Sequence, residues 1–136
     1  MKKTTVADCV RLAIPKIEDP RGNLSVIEKM TIPFEMKRVY YLYDVPSGAV
    51  RGGHAHLEQQ SFLVALSGSF EIVLQDGTTE KTVFLNKPNE GLLIREGIWR
   101  EINNFSSGSV CLSISSDYYD ASDYIRDYEL FLELKK

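Results

Sequence analysis

Short β-forming runs, each closed by turn residues, constrain the fold of this chain more than any other feature of its sequence. The runs cover residues 24–28, 38–43, 60–66, 69–75, 81–85, 92–95, 99–104 and 110–115. Between two of them stands Asp76-Gly77, a dipeptide typical of tight hairpin turns. No helical pattern of sufficient length separates the runs, so their spacing predicts an all-β antiparallel sandwich or barrel.

The last part of the chain, residues 120–136, has a different pattern. Its apolar residues stand at near-helical spacing. They are Tyr124, Ile125, Tyr128, Phe131, Leu132 and Leu134. Ser122 is a suitable N-cap for a helix that begins here. The pattern predicts one short amphipathic helix at the C-terminus, packed on the outside of the β-structure.

Length and charge limit the number of domains and the kinds of partner. With 136 residues, of which 43% are hydrophobic, the chain has the size and core content of one domain, which we expect to span residues 1–136. The net charge is −3, and no basic block is longer than a lysine pair. A nucleic-acid partner is therefore not expected, because such a surface needs clustered positive charge.

No apolar run approaches the roughly 20 residues that a membrane helix needs, so a membrane partner is not expected either. The two cysteines, Cys9 and Cys111, lack the spacing of metal ligands. We expect them to be reduced thiols, which is typical of a cytoplasmic protein.

The chain has only two histidines, His54 and His56, which follow the pair Gly52-Gly53. Residues two apart on a strand point to the same face, so both imidazoles are expected to enter one cavity. The glycines permit a close turn of the backbone before the pair. Histidine titrates near neutral pH, and an imidazole pair in an apolar cavity is therefore suited to proton transfer.

The spacing around this pair resembles the first motif of the cupin family, which runs glycine, five residues, HxH, a few residues, a glutamate and a glycine. The corresponding residues here are Gly48, His54, His56 and Gly68, with Gln60 where the glutamate usually stands. The resemblance implies the cupin fold, a double-stranded β-helix, which is a jelly-roll-like antiparallel barrel.

The second cupin motif, PxGxxHxxxN, is matched only in part: Gly97 and Asn104 agree, whereas Arg95 replaces the proline and Arg100 the histidine. A metal-binding cupin would use the two histidines, the glutamate and the second-motif histidine as ligands. Gln60 lacks the negative charge, and a guanidinium has no lone pair to donate. A divalent metal needs three or four good ligands, so we expect no metal here. The arginines near the motifs fit an anionic substrate, such as a phosphate or diphosphate.

Several stretches, in chain order, resemble the nucleotide-sugar 3,4-ketoisomerases of the cupin superfamily. They are residues 19–22, 32–34, 37–41, 51–56, 104–107, 116–120 and 123–126. The resemblance implies conversion of dTDP-4-oxo-6-deoxy-D-glucose into a dTDP-3-oxo-6-deoxyhexose by metal-free acid–base enolisation, with no cofactor, in the biosynthesis of deoxyamino sugars for surface glycans. The configuration of the product at C4, galacto or gluco, stays open, as does the preference for the nucleotide base.

The resemblance also implies roles for individual residues. His54 and His56 jointly move the protons of C3 and C4, with no assignment of which histidine is the acid and which the base. Tyr40 is expected to hydrogen-bond or protonate the sugar oxygens. The expected substrate-binding residues are Arg38, Arg51, Arg100 and Gln60.

Three other functions remain open at this stage. A nucleotide-sugar 3,5-epimerase shares the enolate chemistry but usually pairs its histidine with an aspartate and uses a tyrosine acid; no comparably placed aspartate stands near His54 or His56 in the sequence. A non-catalytic sugar-binding cupin would bind the nucleotide sugar without exchanging its protons with solvent. A metal-dependent dioxygenase or isomerase would lose its activity to a chelator.

The family resemblance further implies a homodimer. β-Rich barrels often pair through an edge strand, which also protects that edge. The N-terminal segment before Pro15 is the expected candidate for exchange between subunits.

Overall fold

The structure is a computed structural model that describes all residues, 1–136. Its strands are β1 (Arg11–Ala13), β2 (Lys16–Ile17), β3 (Leu24–Ser25), β4 (Arg38–Leu42), β5 (Arg51–His56), β6 (Ser61–Ser67), β7 (Phe70–Gln75), β8 (Glu80–Leu85), β9 (Glu90–Ile94), β10 (Trp99–Asn103), β11 (Val110–Ser115) and β12 (Tyr124–Ile125). Two short 3-10 turns, Val6–Asp8 and Ala121–Asp123, and one α-helix, α1 (Tyr128–Lys135), complete the fold.

Two five-stranded antiparallel sheets form the body of the molecule. One has the strand order β1-β9-β6-β11-β4, the other β12-β5-β10-β7-β8, and β2 and β3 form a separate hairpin. The main core lies between the sheets, because its buried side chains come from both: Leu63 and Leu92 from the first, Ile72 and Val83 from the second. The all-β antiparallel prediction with a short C-terminal helix is confirmed.

The β7–β8 hairpin shows how the sequence pattern produces this packing. Phe70, Ile72 and Leu74 alternate along β7 and are fully buried, as period-two patterning requires. The predicted turn at Asp76-Gly77 is present: the Asp76 carboxylate accepts hydrogen bonds from two backbone N–H groups of the turn, and Gly77 has a φ of 95°. A positive φ of this size favours glycine.

The C-terminal prediction needs correction, because the helix begins at Tyr128 rather than near residue 120. Its N-cap is Asp127, whose carboxylate accepts from the backbone N–H groups of Glu129 and Leu130, so Ser122 is not the cap. Residues 121–125 instead form a 3-10 turn and the strand β12, which pairs with β5. The near-helical spacing there is overridden by strand pairing with a distant part of the chain.

The helix packs on the outside of the second sheet, as predicted. Phe131 is fully buried there and forms a small core with Trp99 and Ile125. Its N-cap, Asp127, comes shortly after β12, which pairs with β5. The helix therefore holds the end of the chain against β5. No helix of the fold is long and apolar enough to cross a membrane.

The N-terminus adds two strands that the sequence pattern did not predict, β1 and β2. β1 pairs with β9, and Val6 and Cys9 lie in the main core. Both cysteines are free and buried, and burial raises the pKa of the Cys111 thiol to about 12. Neither thiol is therefore in a setting that favours the reactive thiolate.

Candidate active site

A cavity of about 470 Å³ opens at the end of the barrel where β4, β5 and β10 meet. Its polar lining consists of Arg38, Tyr40, Arg51, His54, Arg100, Tyr119, Tyr124 and Arg126. Apart from Tyr40 and Tyr124, these residues, together with His56, form two groups by burial. We call His54, Arg100 and His56, which lies behind His54, the floor, because they are at most 8% exposed. We call Arg38, Arg51, Tyr119 and Arg126, which are half-buried or exposed, the mouth.

A bulge in β5 places the histidines at the floor. The β5–β10 register pairs His54 with Arg100 and Gly52 with Glu101, so that Gly53 is the extra residue. Gly52 and Gly53 have φ values of 86° and 67°, which favour glycine. A Cβ atom on Gly52 would also lie 3.1 Å from the carbonyl oxygen of Arg100. The two glycines thus let the strands approach closely just before the histidine pair.

His54 and His56 share a face, as predicted, and their Nε2 atoms lie 3.2 Å apart. Their rings meet edge to face, and the ring of Tyr124 packs against both, with centroid distances of 4.9 Å and 4.4 Å. Burial and, next to it, the positive charge of Arg100 together lower the pKa of His54 to about 3, while the Gly52 backbone partly opposes the shift. Burial and the same charge also lower the pKa of His56. Both imidazoles are therefore neutral at physiological pH.

An aspartate from a distant part of the sequence contacts the pair. His56 Nδ1 lies 3.1 Å from Asp123 Oδ2. The same carboxylate accepts from the backbone N–H groups of Glu58 at 2.8 Å and Gln59 at 3.2 Å. Asp123 reaches this position because the next residue, Tyr124, begins β12 and pairs with His56 in the ladder.

The structure does not bring Gln60 to the cavity and places Gln59 at the histidines instead. Gln59 is 1% exposed, and its Nε2 lies 3.3 Å from His56 Nε2 and donates to Ser115 Oγ. The reason is the two-residue period of the strand that follows: Gln59 and Ser61 point inward, whereas Gln60 points away and its backbone N–H donates to Ser116 Oγ.

Arg100 is a buried cation without a carboxylate partner. Its side chain is 3% exposed, and its guanidinium donates to Ser61 Oγ and to the Ile98 carbonyl. Burial lowers the pKa of Arg100. The floor therefore combines two neutral bases with one fixed positive charge, a setting in which an anion that develops nearby is strongly stabilised.

The arginines of the mouth are also free of carboxylate partners. Arg38 donates to the Tyr124 hydroxyl at 3.2 Å and lies over the rings of Tyr40 and Tyr119, and Arg126 lies over the ring of Tyr124. The arginine ion pairs of this fold are formed by Arg11, Arg21 and Arg95, none of which lines the cavity. Arg95 was expected near an anionic substrate, but it pairs with Glu96.

Sequence reasoning found Arg38, Tyr40, Arg51, His54, His56 and Arg100 at or behind this cavity and missed Tyr119, Asp123, Tyr124 and Arg126. The missed residues all come from the segment 119–126. The family resemblance had marked parts of that segment, but its spacing indicated a helix with a packing role. Within residues 1–136, no three histidine, cysteine, aspartate or glutamate side chains converge in a way that could hold a metal ion.

Comparisons with known proteins identify relatives of this chain. A family model described as FdtA, WxcM-like, C-terminal, matches residues 7–136. A TDP-4-oxo-6-deoxy-alpha-D-glucose-3,4-oxoisomerase from Aneurinibacillus thermoaerophilus is 44% identical over 117 residues, which cover 85% of this chain and 84% of the relative.

Solved structures agree with these matches. A 3,4-ketoisomerase from Helicobacter canadensis superposes with a TM-score of 0.91 at 45% identity, over 94% of this chain and 97% of the other. A histidine-to-asparagine mutant of the 3,4-ketoisomerase QdtA from Thermoanaerobacterium thermosaccharolyticum, in complex with TDP-4-keto-6-deoxyglucose, superposes with a TM-score of 0.91 at 38% identity, over 93% of each chain.

A dTDP-4-dehydrorhamnose 3,5-epimerase from Bacillus anthracis is a more distant neighbour, with a TM-score of 0.77 and 17% identity over 89% of this chain and 79% of the other. Identity this low indicates a shared fold and carries no statement about activity.

Proposed function

The chain belongs to the FdtA family (WxcM-like, C-terminal), and from that membership we propose that it isomerises a TDP-4-oxo-6-deoxyhexose to the 3-oxo sugar by acid–base enolisation at its histidine pair. It is an isomerase of the 3,4-ketoisomerase class, like its relatives at 38–45% identity. The observation that carries the mechanism is the neutral imidazole pair at the floor of a cavity, 3.2 Å apart and beside an unpaired guanidinium.

The reaction needs only proton transfers. The C4 ketone acidifies the C3–H bond; a neutral imidazole accepts that proton, and an enediolate forms across C3 and C4. Protonation of carbon C4 and transfer of the O3 proton to O4 then leave the ketone at C3 and a hydroxyl group at C4. One C–H bond is broken and one is formed, no net electron transfer to another molecule occurs, and a base that is neutral at physiological pH is ready to accept the proton.

The remaining residues fit binding and charge stabilisation. Arg100 supports the enediolate oxygen, because a preorganised cation in a buried site costs little reorganisation during the reaction. Arg38, Arg51 and Arg126 suit the diphosphate, since guanidinium groups without carboxylate partners are available for bidentate contacts. Tyr40, whose ring lies under the Arg38 guanidinium in the lining, suits contact with the sugar oxygens. Gln60 does not line the cavity and has no role in this proposal.

The 3,5-epimerase alternative gains one observation, because the His56–Asp123 contact is the kind of pair expected of an epimerase. The family membership outweighs it, since the epimerase neighbour is only 17% identical whereas the ketoisomerase relatives are at least 38% identical. The products distinguish the two reactions, because epimerisation leaves the ketone at C4.

The experiment is incubation with TDP-4-oxo-6-deoxy-D-glucose in deuterated water, followed by NMR. We expect a 3-oxo product that carries deuterium at C4. A 4-oxo sugar deuterated at C3 or C5 would indicate an epimerase, and a substrate that binds without taking up deuterium would indicate a binding protein. The same NMR spectrum gives the configuration at C4. The His54→Asn variant is the control for non-enzymatic exchange.

We propose that the protein acts as a cytoplasmic homodimer that supplies a 3-oxo sugar for amination toward a surface glycan. Two free, buried cysteines fit a reducing compartment.

β4 is an edge strand, and its outward residues Val39 and Tyr41 are 57% and 60% exposed, which is a large apolar surface for an edge. β1 lies at the other edge of that sheet and pairs with β9, and the proposed N-terminal exchange would make this pairing between subunits. Light scattering of the wild type and of Tyr41→Glu measures the oligomeric state.

A further inference from the structure

Asp123 is the only acidic side chain that contacts the histidine pair, and the reaction proposed above does not use it directly. Its carboxylate is held by three donors: the backbone N–H groups of Glu58 and Gln59 and the Nδ1 atom of His56. The Asp123 carbonyl also accepts from the backbone N–H of Leu57. These bonds fix the position and the orientation of the carboxylate.

Two contacts determine which nitrogen of His56 carries the proton. Nδ1 faces the Asp123 carboxylate, which can only accept a hydrogen bond when ionised. Nε2 faces the Gln59 amide nitrogen at 3.3 Å, which can only donate. Both contacts require His56 to be protonated on Nδ1 and to present a lone pair on Nε2.

The tautomer of His54 follows from that of His56. Its Nε2 lies 3.2 Å from the Nε2 lone pair of His56 and therefore carries a hydrogen that it donates. The remaining nitrogen, His54 Nδ1, then bears a lone pair. It is buried and makes no hydrogen bond of regular geometry within the chain, although the Gly52 backbone lies near the His54 ring. His54, unlike His56, also lines the cavity.

We propose that Asp123 is a positioning residue that holds His56 in the Nδ1–H tautomer and thereby leaves His54 Nδ1 as the one nitrogen of the pair whose lone pair is not occupied by a neighbouring side chain. The proposal rests on the ketoisomerase function and assigns a different role to each histidine: His54 exchanges protons with the sugar, and His56 orients His54. When His54 Nδ1 accepts the C3 proton, its Nε2–H is already directed at His56, and the Asp123 carboxylate stabilises positive charge shared by the two rings. Protonation of C4 by His54 then restores the starting tautomers.

This arrangement is a form of the carboxylate–histidine pairing in which the carboxylate sets the tautomer of an imidazole and does not itself take up the proton. Here the effect passes through a second imidazole. The contact between Asp123 and His56 also links the floor to the C-terminal segment, because the position of Asp123 depends on the pairing of β12 with β5.

The first arm of the test is 15N NMR of the free protein labelled on histidine. Only two rings contribute, and the His54→Asn variant assigns them. We expect opposite tautomers: a protonated Nδ1 in His56 and a protonated Nε2 in His54. The same tautomer in both rings, or a protonated His54 Nδ1, overturns the proposal. This arm needs no substrate, so it decides the proposal even if the chain proves not to be a ketoisomerase.

The second arm compares Asp123→Asn with Asp120→Asn. Asp120 belongs to the same turn and accepts from Ser122, but it does not contact a histidine, so this variant removes the same charge without touching the pair. We expect Asp123→Asn to lower kcat about 10- to 100-fold with KM changed less than about twofold, as is typical when the partner of a functional histidine is removed. We expect Asp120→Asn to match the wild type.

Three results contradict the proposal: a wild-type kcat in Asp123→Asn, a rise in KM in place of the fall in kcat, or an equal loss in both variants. If Asp123→Asn fails to fold, the tautomers of the wild type decide alone. A wild type that binds the sugar but does not isomerise it refutes the proposed function, and the NMR arm then reports on the histidine pair separately.

Discussion

At the floor of the cavity, His56 and Arg100 are at most 3% exposed, whereas at the mouth Arg51 and Arg126 are exposed to solvent. The same kind of side chain, an arginine without a carboxylate partner, occurs in both places. At the floor its charge acts in a medium of low dielectric constant and lowers the pKa values of two histidines. At the mouth, water and salt screen the charge, so Arg126 lowers the same two pKa values less than Arg100 does. Burial thus separates groups suited to chemistry from groups suited to binding.

The largest expected effect comes from removing the bases at the floor. His54→Asn should lower kcat about 100- to 10,000-fold, which is the usual contribution of general acid–base catalysis. His56→Asn should also lower kcat strongly, because His54 then loses the ring that orients it. Binding of the nucleotide sugar, measured by calorimetry, should change little, because the arginines of the mouth remain. Full activity in both variants would end the acid–base assignment.

Replacing the buried cation tests whether the floor needs its charge. Arg100→Met should lower kcat about 100- to 1,000-fold, because one preorganised stabiliser of the enediolate is lost. The free energy of unfolding should stay equal or rise, since a methionine does not have to be desolvated as a charge. Steady-state kinetics and urea denaturation measure the two effects. An unchanged kcat in this variant would show that Arg100 contributes to packing and not to catalysis.

At the mouth the expected effect is on binding. Arg51→Gln should raise KM about tenfold with little change in kcat, because a charge-assisted hydrogen bond to phosphate is lost at an exposed position. The KM of the wild type should also rise with salt more steeply than that of the variant. Arg21→Gln is the matched control, because Arg21 is exposed and paired with Asp19 outside the cavity. Equal KM values for both variants would remove Arg51 from the binding site.

The buried histidines should also make stability depend on pH. Burial lowers the pKa of His54 from its usual 6.5 to about 3, so between these values the unfolded chain binds a proton that the folded chain does not. The free energy of unfolding should therefore rise with pH across this window and fall as the solution is acidified. Urea denaturation at several pH values checks the slope. His54→Asn should flatten it, and an unchanged slope would place the titration elsewhere.

The smallest expected effect is that of a chelator. With two neutral imidazoles beside a guanidinium, the floor is a poor donor set for a divalent cation. EDTA followed by gel filtration should leave kcat unchanged, with metal content measured in the same sample. Loss of activity that iron or manganese restores would support the metal-enzyme alternative. Until then, the absence of a metal and of other cofactors stays a prediction.

The two sides of the histidine pair show how far sequence patterns reach. On one side, the HxH spacing was enough to predict that both rings share a face, because side-chain direction along a strand is a local property. On the other side, Asp123 lies 67 residues away from His56 in the chain, and no local pattern indicates their contact. Strand pairing decided it. The same holds for Gln59 and Gln60, where a shift of one residue reverses the face.

From the sequence alone follow the antiparallel β-architecture, the hairpin at Asp76, the paired histidines and their family resemblance. These features depend on residue types and on spacings that extend over only a few positions of the sequence. The tertiary structure alone decided which arginines are buried, which stay free of carboxylates, and that the segment 119–126 completes the cavity. The reason is that burial and long-range pairing depend on what the rest of the chain places nearby, and desolvation then sets the protonation state of the groups that meet there.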